Sequence, residues 1–310
     1  MRRFIVIIST VLALCSVAQA KSYTLKSPSG EVQISIYSEK TGLSWGVSYG
    51  DETLMEPSRI SMTLSDGTVI GRPIRRIKAY RTSTDKVLTD LVPIKFKYVR
   101  DHYNELKLDF GNGGAVVFRA YENGVAYRFE TSFDEAIEVK NELSEWNFTS
   151  DEMVYWANEK NPDYITHCEA NFQQIPISSI ATETYSYLPV SMKTPRGTRL
   201  VITEADLFDY PNLFLRASGG SSLSSEFPKV IDEYSMRTDR DVKIEKLAGV
   251  IARTRGNRTF PWRVMTIGSD ASLLENTLPW QLSSSEISED YSWLKPGKIS
   301  WEWWAMLNVY

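Results

Sequence analysis

Acidic side chains cluster directly after an apolar run in the middle of the chain. Leu200–Ile202 is followed by the segment TEADLFDY, which carries the carboxylates of Glu204, Asp206 and Asp209. Carboxylates at a strand end supply hard oxygen ligands, and Ca²⁺ takes about six to eight of them. If the strand continued to Asp206, its two-residue period would place Glu204 and Asp206 on one face. The sequence lacks an EF-hand pattern, so a solvated acidic loop is the alternative.

A second candidate lies in the Trp-rich segment WEWW, where Glu302 follows Trp301 and precedes Trp303 and Trp304. Indole rings offer apolar faces for the C–H faces of a sugar, and a carboxylate accepts hydrogen bonds from its hydroxyls. The pattern predicts a sugar-binding role for Glu302, Trp303 and Trp304. A buried strand with one outward charge is the alternative. Catalytic carboxylates are not assigned, because their separation in space decides glycosidic chemistry.

Thiol and histidine chemistry is limited by composition. His102 and His167 are the only histidines, which excludes a site built on several His ligands. Cys168 adjoins His167 and is the only cysteine beyond residue 20, so no disulfide forms within the rest of the chain. A strand or loop position explains Cys168 better than a catalytic thiol does.

The first twenty residues have the pattern of a secretory signal peptide, which predicts export. Arg2 and Arg3 precede an apolar run over residues 4–14, and Ala18-Gln19-Ala20 forms a small-x-small cleavage site. The apolar run is short for a membrane span, so we expect no transmembrane segment in the mature chain. Cleavage removes two positive charges and changes the formal net charge from −4 to −6. This mild, mixed charge argues against a nucleic-acid partner.

The elements that must position these residues are predominantly strands. Apolar and polar residues alternate in runs such as residues 32–37, 59–64 and 106–110, with Gly- and Asn-rich turns between them. The GNGG sequence at 111–114 is a hairpin turn without the helix that a phosphate loop needs. Further strands are predicted at 115–121, 125–130, 188–192, 199–203, 242–251 and 262–267.

Many short strands with few helices predict an all-β fold, a large antiparallel two-sheet β-sandwich. One short helix is expected at Ser272–Leu278, capped by Ser269 or Asp270. The Ser-rich stretches Ser218–Ser225 and Ser283–Ser288 are interpreted as surface loops. We therefore predict a sandwich domain over residues 21–285 and the start of another domain over residues 286–310, where a Pro-Gly turn launches the Trp-rich run.

Several segments together resemble one enzyme family, the amino-terminal region of glycoside hydrolase family 97, exported Bacteroidetes enzymes that include a starch-utilisation α-glucosidase. The resemblance runs from about Tyr23 to Tyr310. The segments that carry it are ENGVAYRF at 122–129, YLPV at 187–190, ITEADLFDY at 202–210, FPWRVM at 260–265, SWLKPGK at 292–298 and WW at 303–304.

The resemblance implies a β-super-sandwich followed by a (β/α)₈ barrel and a small C-terminal β-domain. The Trp-rich run would then begin the first barrel strand, and the catalytic acid and base would come from the barrel downstream. The implied substrates are α-linked glucosides or galactosides, and the chain alone is expected to be inactive. The implied location is the periplasm or outer surface of a Gram-negative bacterium.

The resemblance also implies that Glu204, with Asp209-Tyr210 downstream, contributes a carboxylate to an active-site calcium ion. Glu302, Trp303 and Trp304 would lie near the sugar pocket of the barrel. Two alternatives stay open from the residues themselves: a free-standing carbohydrate-binding β-sandwich, and a structural periplasmic or surface β-protein.

Overall fold

The computed structural model describes residues 21–39, 41–72, 77–89, 93, 95–161, 164, 166–239, 241–283, 290–298 and 300. The predicted leader at 1–20, the predicted boundary at 285, and Glu302, Trp303 and Trp304 lie outside these residues. In the part of the chain that is described, no helix has the length and apolar character required to cross a membrane.

The first half of the described chain forms a succession of strands. Their bounds are β1 (Lys21–Lys26), β2 (Val32–Glu39), β3 (Gly42–Tyr49), β4 (Glu52–Leu64), β5 (Val69–Ile70), β6 (Lys78–Leu88), β7 (Val99–Asp109), β8 (Gly114–Tyr121), β9 (Gly124–Ser132), β10 (Ile137–Phe148) and β11 (Met153–Trp156).

The second half adds further strands and three short helical turns. The strands are β12 (Gln173–Pro176), β13 (Ser186–Tyr187), β14 (Val190–Lys193), β15 (Arg199–Ala205), β16 (Phe214–Gly219), β17 (Ser222–Glu226), β18 (Ile231–Met236), β19 (Val242–Leu247), β20 (Ala252–Thr254), β21 (Asn257–Thr259) and β22 (Trp262–Gly268). A 3₁₀ turn spans Ile177–Ser179, and the α-helices are α1 (Asp270–Leu274) and α2 (Leu278–Leu282).

The strands form two large antiparallel sheets and a separate hairpin. The first sheet has the order β1-β2-β3-β4-β10-β17-β16-β13, with β5 beside β4 and β20 beside β10. The second has the order β12-β11-β14-β15-β22-β9-β8-β7-β6, with β21 beside β9. The hairpin is β18-β19. The predicted two-sheet sandwich is confirmed.

The main apolar core lies between the two sheets, because most of their strands turn alternate apolar residues inward. Aromatic rings join the sheets at its centre. Trp45 on β3 lies 5.2 Å from the Tyr127 ring on β9 and 5.5 Å from the Trp146 ring on β10, both edge-on. Such pairs add stability beyond the area that they bury. On the outer face of the second sheet, α2 covers a smaller apolar cluster with Leu278 and Leu282.

Two local predictions were wrong. Ser218–Ser225 belongs to the β16–β17 hairpin, because Leu223 is fully buried and the serines around it alternate with the strand period. The predicted helix at Ser272–Leu278 is divided into α1 and α2, since Ser269 caps α1 through the N–H of Ser272 and α1 ends at Leu274. In addition, the predicted strand at 242–251 ends early, at Leu247.

Candidate functional site at Glu204

Glu204 points into the space between the two sheets. Leu200 and Ile202 on β15 are buried in the shared core, and the two-residue period turns Glu204 to that same side. Its register partner on β22 is Arg263. The strand ends at Ala205, since Asp206 adopts a left-handed conformation with φ of 59°. Glu204 and Asp206 therefore do not continue along one strand face.

Arg263 joins the two sheets through hydrogen bonds to two carboxylates. Its Nε donates to Oε1 of Glu142 at 2.7 Å and its Nη2 donates to Oε2 of Glu142 at 3.0 Å. Its Nη1 donates to Oε2 of Glu204 at 2.6 Å. Glu142 lies on β10 of the first sheet, whereas Arg263 and Glu204 lie on the second. Two parallel bonds to one carboxylate fix both the distance and the plane of a guanidinium.

The three charged side chains differ in their contact with solvent. Arg263 is 0% exposed and Glu142 is 1% exposed, whereas the Glu204 side chain retains 11% of its surface. The backbone N–H of Leu213 donates to both Glu204 oxygens, at 3.2 and 3.3 Å. Glu204 is therefore held on two sides and is the member of the cluster that reaches the surface. We call Glu142, Arg263 and Glu204 the interior charge cluster.

Burial has opposite effects on the charges of this cluster. Burial raises the pKa of Glu204 above its ordinary value and Glu142 raises it further, while Arg263 and the Leu213 N–H lower it. Burial by itself lowers the pKa of Arg263, but interactions with Glu142 and Glu204 more than compensate, so the net shift is upward. Arg263 therefore stays positively charged at any physiological pH.

Aromatic rings surround the guanidinium and limit its access to water. The Arg263 carbon Cζ lies 5.1 Å from the ring centre of Phe227 and 5.9 Å from that of Tyr210. The Tyr210 hydroxyl is buried and has no hydrogen-bond partner among the described residues. Burial raises the pKa of Tyr210, and the neighbouring Glu142 raises it further, so the phenol is neutral.

The other carboxylates of the predicted acidic segment point elsewhere. Oδ2 of Asp206 lies 3.8 Å from Nη1 of Arg128, and the Asp209 side chain is 87% exposed. Arg258 closes this loop, because its guanidinium donates to the carbonyls of Phe208 and Asp209 at 2.8 and 3.0 Å. Asp206, Asp209, Phe208 and Arg258 line a polar groove of about 410 Å³ together with Arg255 and Thr259.

The donor set near Glu204 fits a single oxygen ligand to a metal. Within the described ranges, no group of three or more His, Cys, Asp or Glu side chains is placed to hold a metal ion. Among the groups that the structure describes, the Leu213 N–H is the one donor to Oε1 of Glu204, which leaves this oxygen a lone pair for a hard cation. The remaining ligands of any calcium ion would come from outside the described residues.

The thiol and histidine candidates have no shared site. Cys168 is exposed in a loop and its backbone N–H donates to Oγ1 of Thr166 at 3.1 Å, in agreement with the loop interpretation. His167 is its chain neighbour, whereas His102 lies on β7 and lines a separate cleft.

Sequence reasoning did not identify Glu142 or Arg263. The available signal was an arginine at an inward-facing position of the apolar strand WRVMTIG at 262–268, since a buried arginine requires a carboxylate partner. The sequence could not show that its partner lies 121 residues earlier.

The fold and site define a large two-sheet β-sandwich domain whose sheets are bridged by a buried arginine–carboxylate cluster. A sequence model described as "Glycosyl-hydrolase 97 N-terminal" matches residues 25–284. The chain belongs to this family, the N-terminal domains of family 97 glycosyl hydrolases.

Curated relatives support the family. The chain is 30% identical to a retaining alpha-galactosidase of Bacteroides thetaiotaomicron, over 100% of this chain and 48% of the relative. It is 27% identical to a probable retaining alpha-galactosidase of Streptomyces bingchenggensis, over 93% of this chain and 42% of the relative. The chain thus spans about half the length of the curated relatives that it matches.

Solved structures share the fold. A family 97 glycoside hydrolase from a Pseudoalteromonas strain, in complex with acarbose, superposes with a TM-score of 0.74 at 22% identity. The match covers 89% of this chain and 40% of that one. A beta-arabinopyranosidase superposes with a TM-score of 0.68 at 19% identity, over 87% of this chain and 44% of that one.

Proposed function

We propose that the chain is the N-terminal domain of an exported glycoside hydrolase that acts on α-galactosides, with α-glucosides as the alternative substrate class. The observation that carries this proposal is the family match over residues 25–284, together with 30% identity to a retaining alpha-galactosidase along the whole chain. The catalytic acid and base are assigned to a barrel domain that follows the sandwich, as in the predicted architecture.

Within that enzyme, the sandwich supports the active site and offers Glu204 as one calcium ligand. Bound calcium would polarise and position sugar hydroxyls, which is electrostatic stabilisation. Oε1 of Glu204 would face the ion, while Oε2 remains bonded to Arg263 and Leu213. Glu302, Trp303 and Trp304 are proposed to contact the glycan, as their residue types predict.

Hydrolysis assays test the substrate proposal. The chain alone and the same chain followed by its downstream coding sequence are each incubated with aryl α-galactosides and aryl α-glucosides. Turnover is expected only with the longer protein, and faster with the α-galactoside. Steady turnover by the chain alone that a conservative change within it abolishes would overturn the assignment of the catalytic groups to the barrel. Retained glycan binding without any turnover by the longer protein would favour the binding-module alternative.

Calcium titration tests the role of Glu204. The longer protein and its Glu204→Gln variant are titrated with Ca²⁺ by calorimetry, and the variant is expected to bind about tenfold more weakly or worse. Glu145→Gln on β10 is the matched control, because Glu145 pairs with the exposed Arg59 instead of the interior charge cluster. Equal calcium affinity in the wild type and the Glu204→Gln variant would contradict the assignment of Glu204 as a calcium ligand.

The export proposal has a separate test. Residues 1–20 are fused to alkaline phosphatase, which is active only outside the bacterial cytoplasm. We expect activity from the fusion and loss of that activity when the apolar run at 4–14 is interrupted by charged residues. A fusion that stays inactive and cytoplasmic contradicts export.

A further inference from the structure

The interior charge cluster carries more negative than positive charge. Glu142 and Glu204 each carry one negative charge when ionised, and Arg263 carries one positive charge. The balance is one uncompensated negative charge in a region where side-chain exposure is 11% or less. Buried charge of this kind is costly unless a partner compensates it.

The geometry divides the donors of Arg263 unequally. Glu142 takes two of the three hydrogen bonds, at 2.7 and 3.0 Å, in the bidentate arrangement that holds a guanidinium most firmly. Glu204 takes one, at 2.6 Å. Because Glu142 is 1% exposed, no solvent ion reaches it, and the unpaired charge is accessible only at the edge of Glu204.

We propose that Glu142 is a positioning residue: it neutralises Arg263, and thereby leaves Glu204 with a negative charge that a divalent cation can compensate. Without Glu142, the positive charge of Arg263 would be compensated by Glu204 alone. A cation would then have to compete with a buried guanidinium for the Glu204 carboxylate. This inference rests on the proposed calcium role of Glu204. Glu142 on the first sheet would thus control the charge of a metal ligand, Glu204, that lies on the second sheet.

The decisive variant is Glu142→Gln, which keeps the shape of the side chain and removes its charge. Calcium affinity of the longer protein, measured by calorimetry with Ca²⁺ alone, is expected to fall about tenfold or more although Glu142 does not contact the ion. Glu142→Asp keeps the charge and is expected to stay near the wild type. Glu145 lies three positions after Glu142 on β10 but pairs with the exposed Arg59. Glu145→Gln therefore makes the same chemical change outside the interior charge cluster and is expected to leave the affinity unchanged.

The outcomes separate the two proposals. If Glu204→Gln leaves calcium affinity unchanged, the proposed calcium role of Glu204 fails, and the inference about Glu142, which rests on that role, fails with it. If Glu204→Gln weakens calcium binding but Glu142→Gln leaves the affinity unchanged, only the present inference is overturned. If Glu142→Gln does not fold, the double variant Glu142→Gln, Arg263→Gln is used: it restores one net negative charge, so binding within a fewfold of the wild type supports the inference and a tenfold loss overturns it.

Discussion

Glu204 and Arg263 occupy directly opposite positions on β15 and β22, and Nη1 of Arg263 donates a 2.6 Å hydrogen bond to Oε2 of Glu204. The same guanidinium continues across the core to Glu142 on the other sheet. At this position between the sheets, the interior charge cluster takes the place of apolar packing. Removing one member of the cluster leaves the other charges buried without compensation. The resulting loss in folding stability is larger than the net stability that the intact cluster contributes.

Arg263→Met tests this relationship through stability. The variant keeps the apolar volume of the side chain but leaves Glu142 and Glu204 as two buried carboxylates with no cation. We expect a loss of about 3–5 kcal/mol in the free energy of unfolding. Urea denaturation followed by tryptophan fluorescence measures it.

Arg59→Met is the control for that measurement. Arg59 also pairs with a carboxylate on β10, that of Glu145, but its side chain is 70% exposed. An exposed pair contributes roughly 1 kcal/mol or less, so this variant is expected to unfold close to the wild type. Similar losses in the two variants would contradict the interior role of Arg263.

Gly256→Ala tests a close backbone contact that the turn between β20 and β21 makes with the segment between β9 and β10. A Cβ atom at this position would lie 2.0 Å from the carbonyl oxygen of Glu135 and 2.7 Å from that of Phe133. Because backbone atoms cannot move aside as a flexible side chain does, we expect a loss of about 2–3 kcal/mol. Thermal and urea unfolding measure the change.

Gly249→Ala is the matched control, since a Cβ atom there meets nothing within 4 Å and Gly249 is exposed. Its stability is expected to stay within about 1 kcal/mol of the wild type. A variant at Gly256 that is as stable as the Gly249 variant shows that the chain around Phe133 relaxes.

Much of the sheet structure could be predicted from the sequence because its determinants are local. The run from 106 to 130 alternates apolar and polar residues around two turns, and it forms β7, β8 and β9 in the predicted order. Glu204 could be singled out because it follows a strand. Its partners could not, since the sequence contains nothing local that pairs residue 142 with residue 263.

The wrong interpretation of Ser218–Ser225 has a physical reason. Serine is common in turns, so a Ser-rich stretch indicates a loop when composition alone is used. Here the hydroxyls serve the strands: Oγ of Ser225 donates to the carbonyl of Glu142 at 2.8 Å and accepts from the N–H of Ser144 at 2.8 Å. Those partners belong to β10, about 80 residues earlier in the chain, and only the tertiary fold brings them together.

Arg119→Met tests a stacked arrangement on the outer face of the second sheet. The Arg119 guanidinium carbon lies 4.6 Å from the ring centre of Trp262 and 4.2 Å from that of Tyr103, and Nε pairs with Glu105 at 2.7 Å. Loss of the cation should cost about 1–2 kcal/mol, since partly desolvated cation–π contacts contribute on that scale. Urea denaturation measures the loss. Arg119→Lys keeps the charge but not the flat guanidinium, and is expected to recover only part of it; full recovery would show that charge alone matters.

Glu152→Gln tests the pH dependence of stability. Glu152 is 2% exposed and accepts a 2.6 Å hydrogen bond from the Ser150 hydroxyl. Burial raises the pKa of Glu152 above its ordinary value of 4.5, although the Ser150 hydroxyl lowers it, and the charges of Glu52 and Asp151 raise it further. The folded chain therefore holds the Glu152 proton to a higher pH than the unfolded chain does.

The sign of the effect follows from proton linkage. Below the unfolded pKa both states carry the proton and the stabilising contribution of Glu152 is complete; as pH rises through the higher folded pKa, that contribution is lost. Glutamine stays neutral throughout. Urea unfolding midpoints are therefore expected to match for the variant and the wild type at about pH 4, and to be higher for the variant at about pH 7.

Glu145→Gln is expected to show the opposite pH dependence of stability in the same urea unfolding measurements. Although burial opposes it, bonds from Arg59 lower the pKa of Glu145, so its contribution is present above the unfolded pKa and is lost as pH falls. This variant should therefore be less stable than the wild type at about pH 7 and equal to it in acid. If Glu152→Gln behaves like Glu145→Gln, the Glu152 carboxylate is stabilised in the folded chain by partners other than the Ser150 hydroxyl, and burial does not control its ionisation.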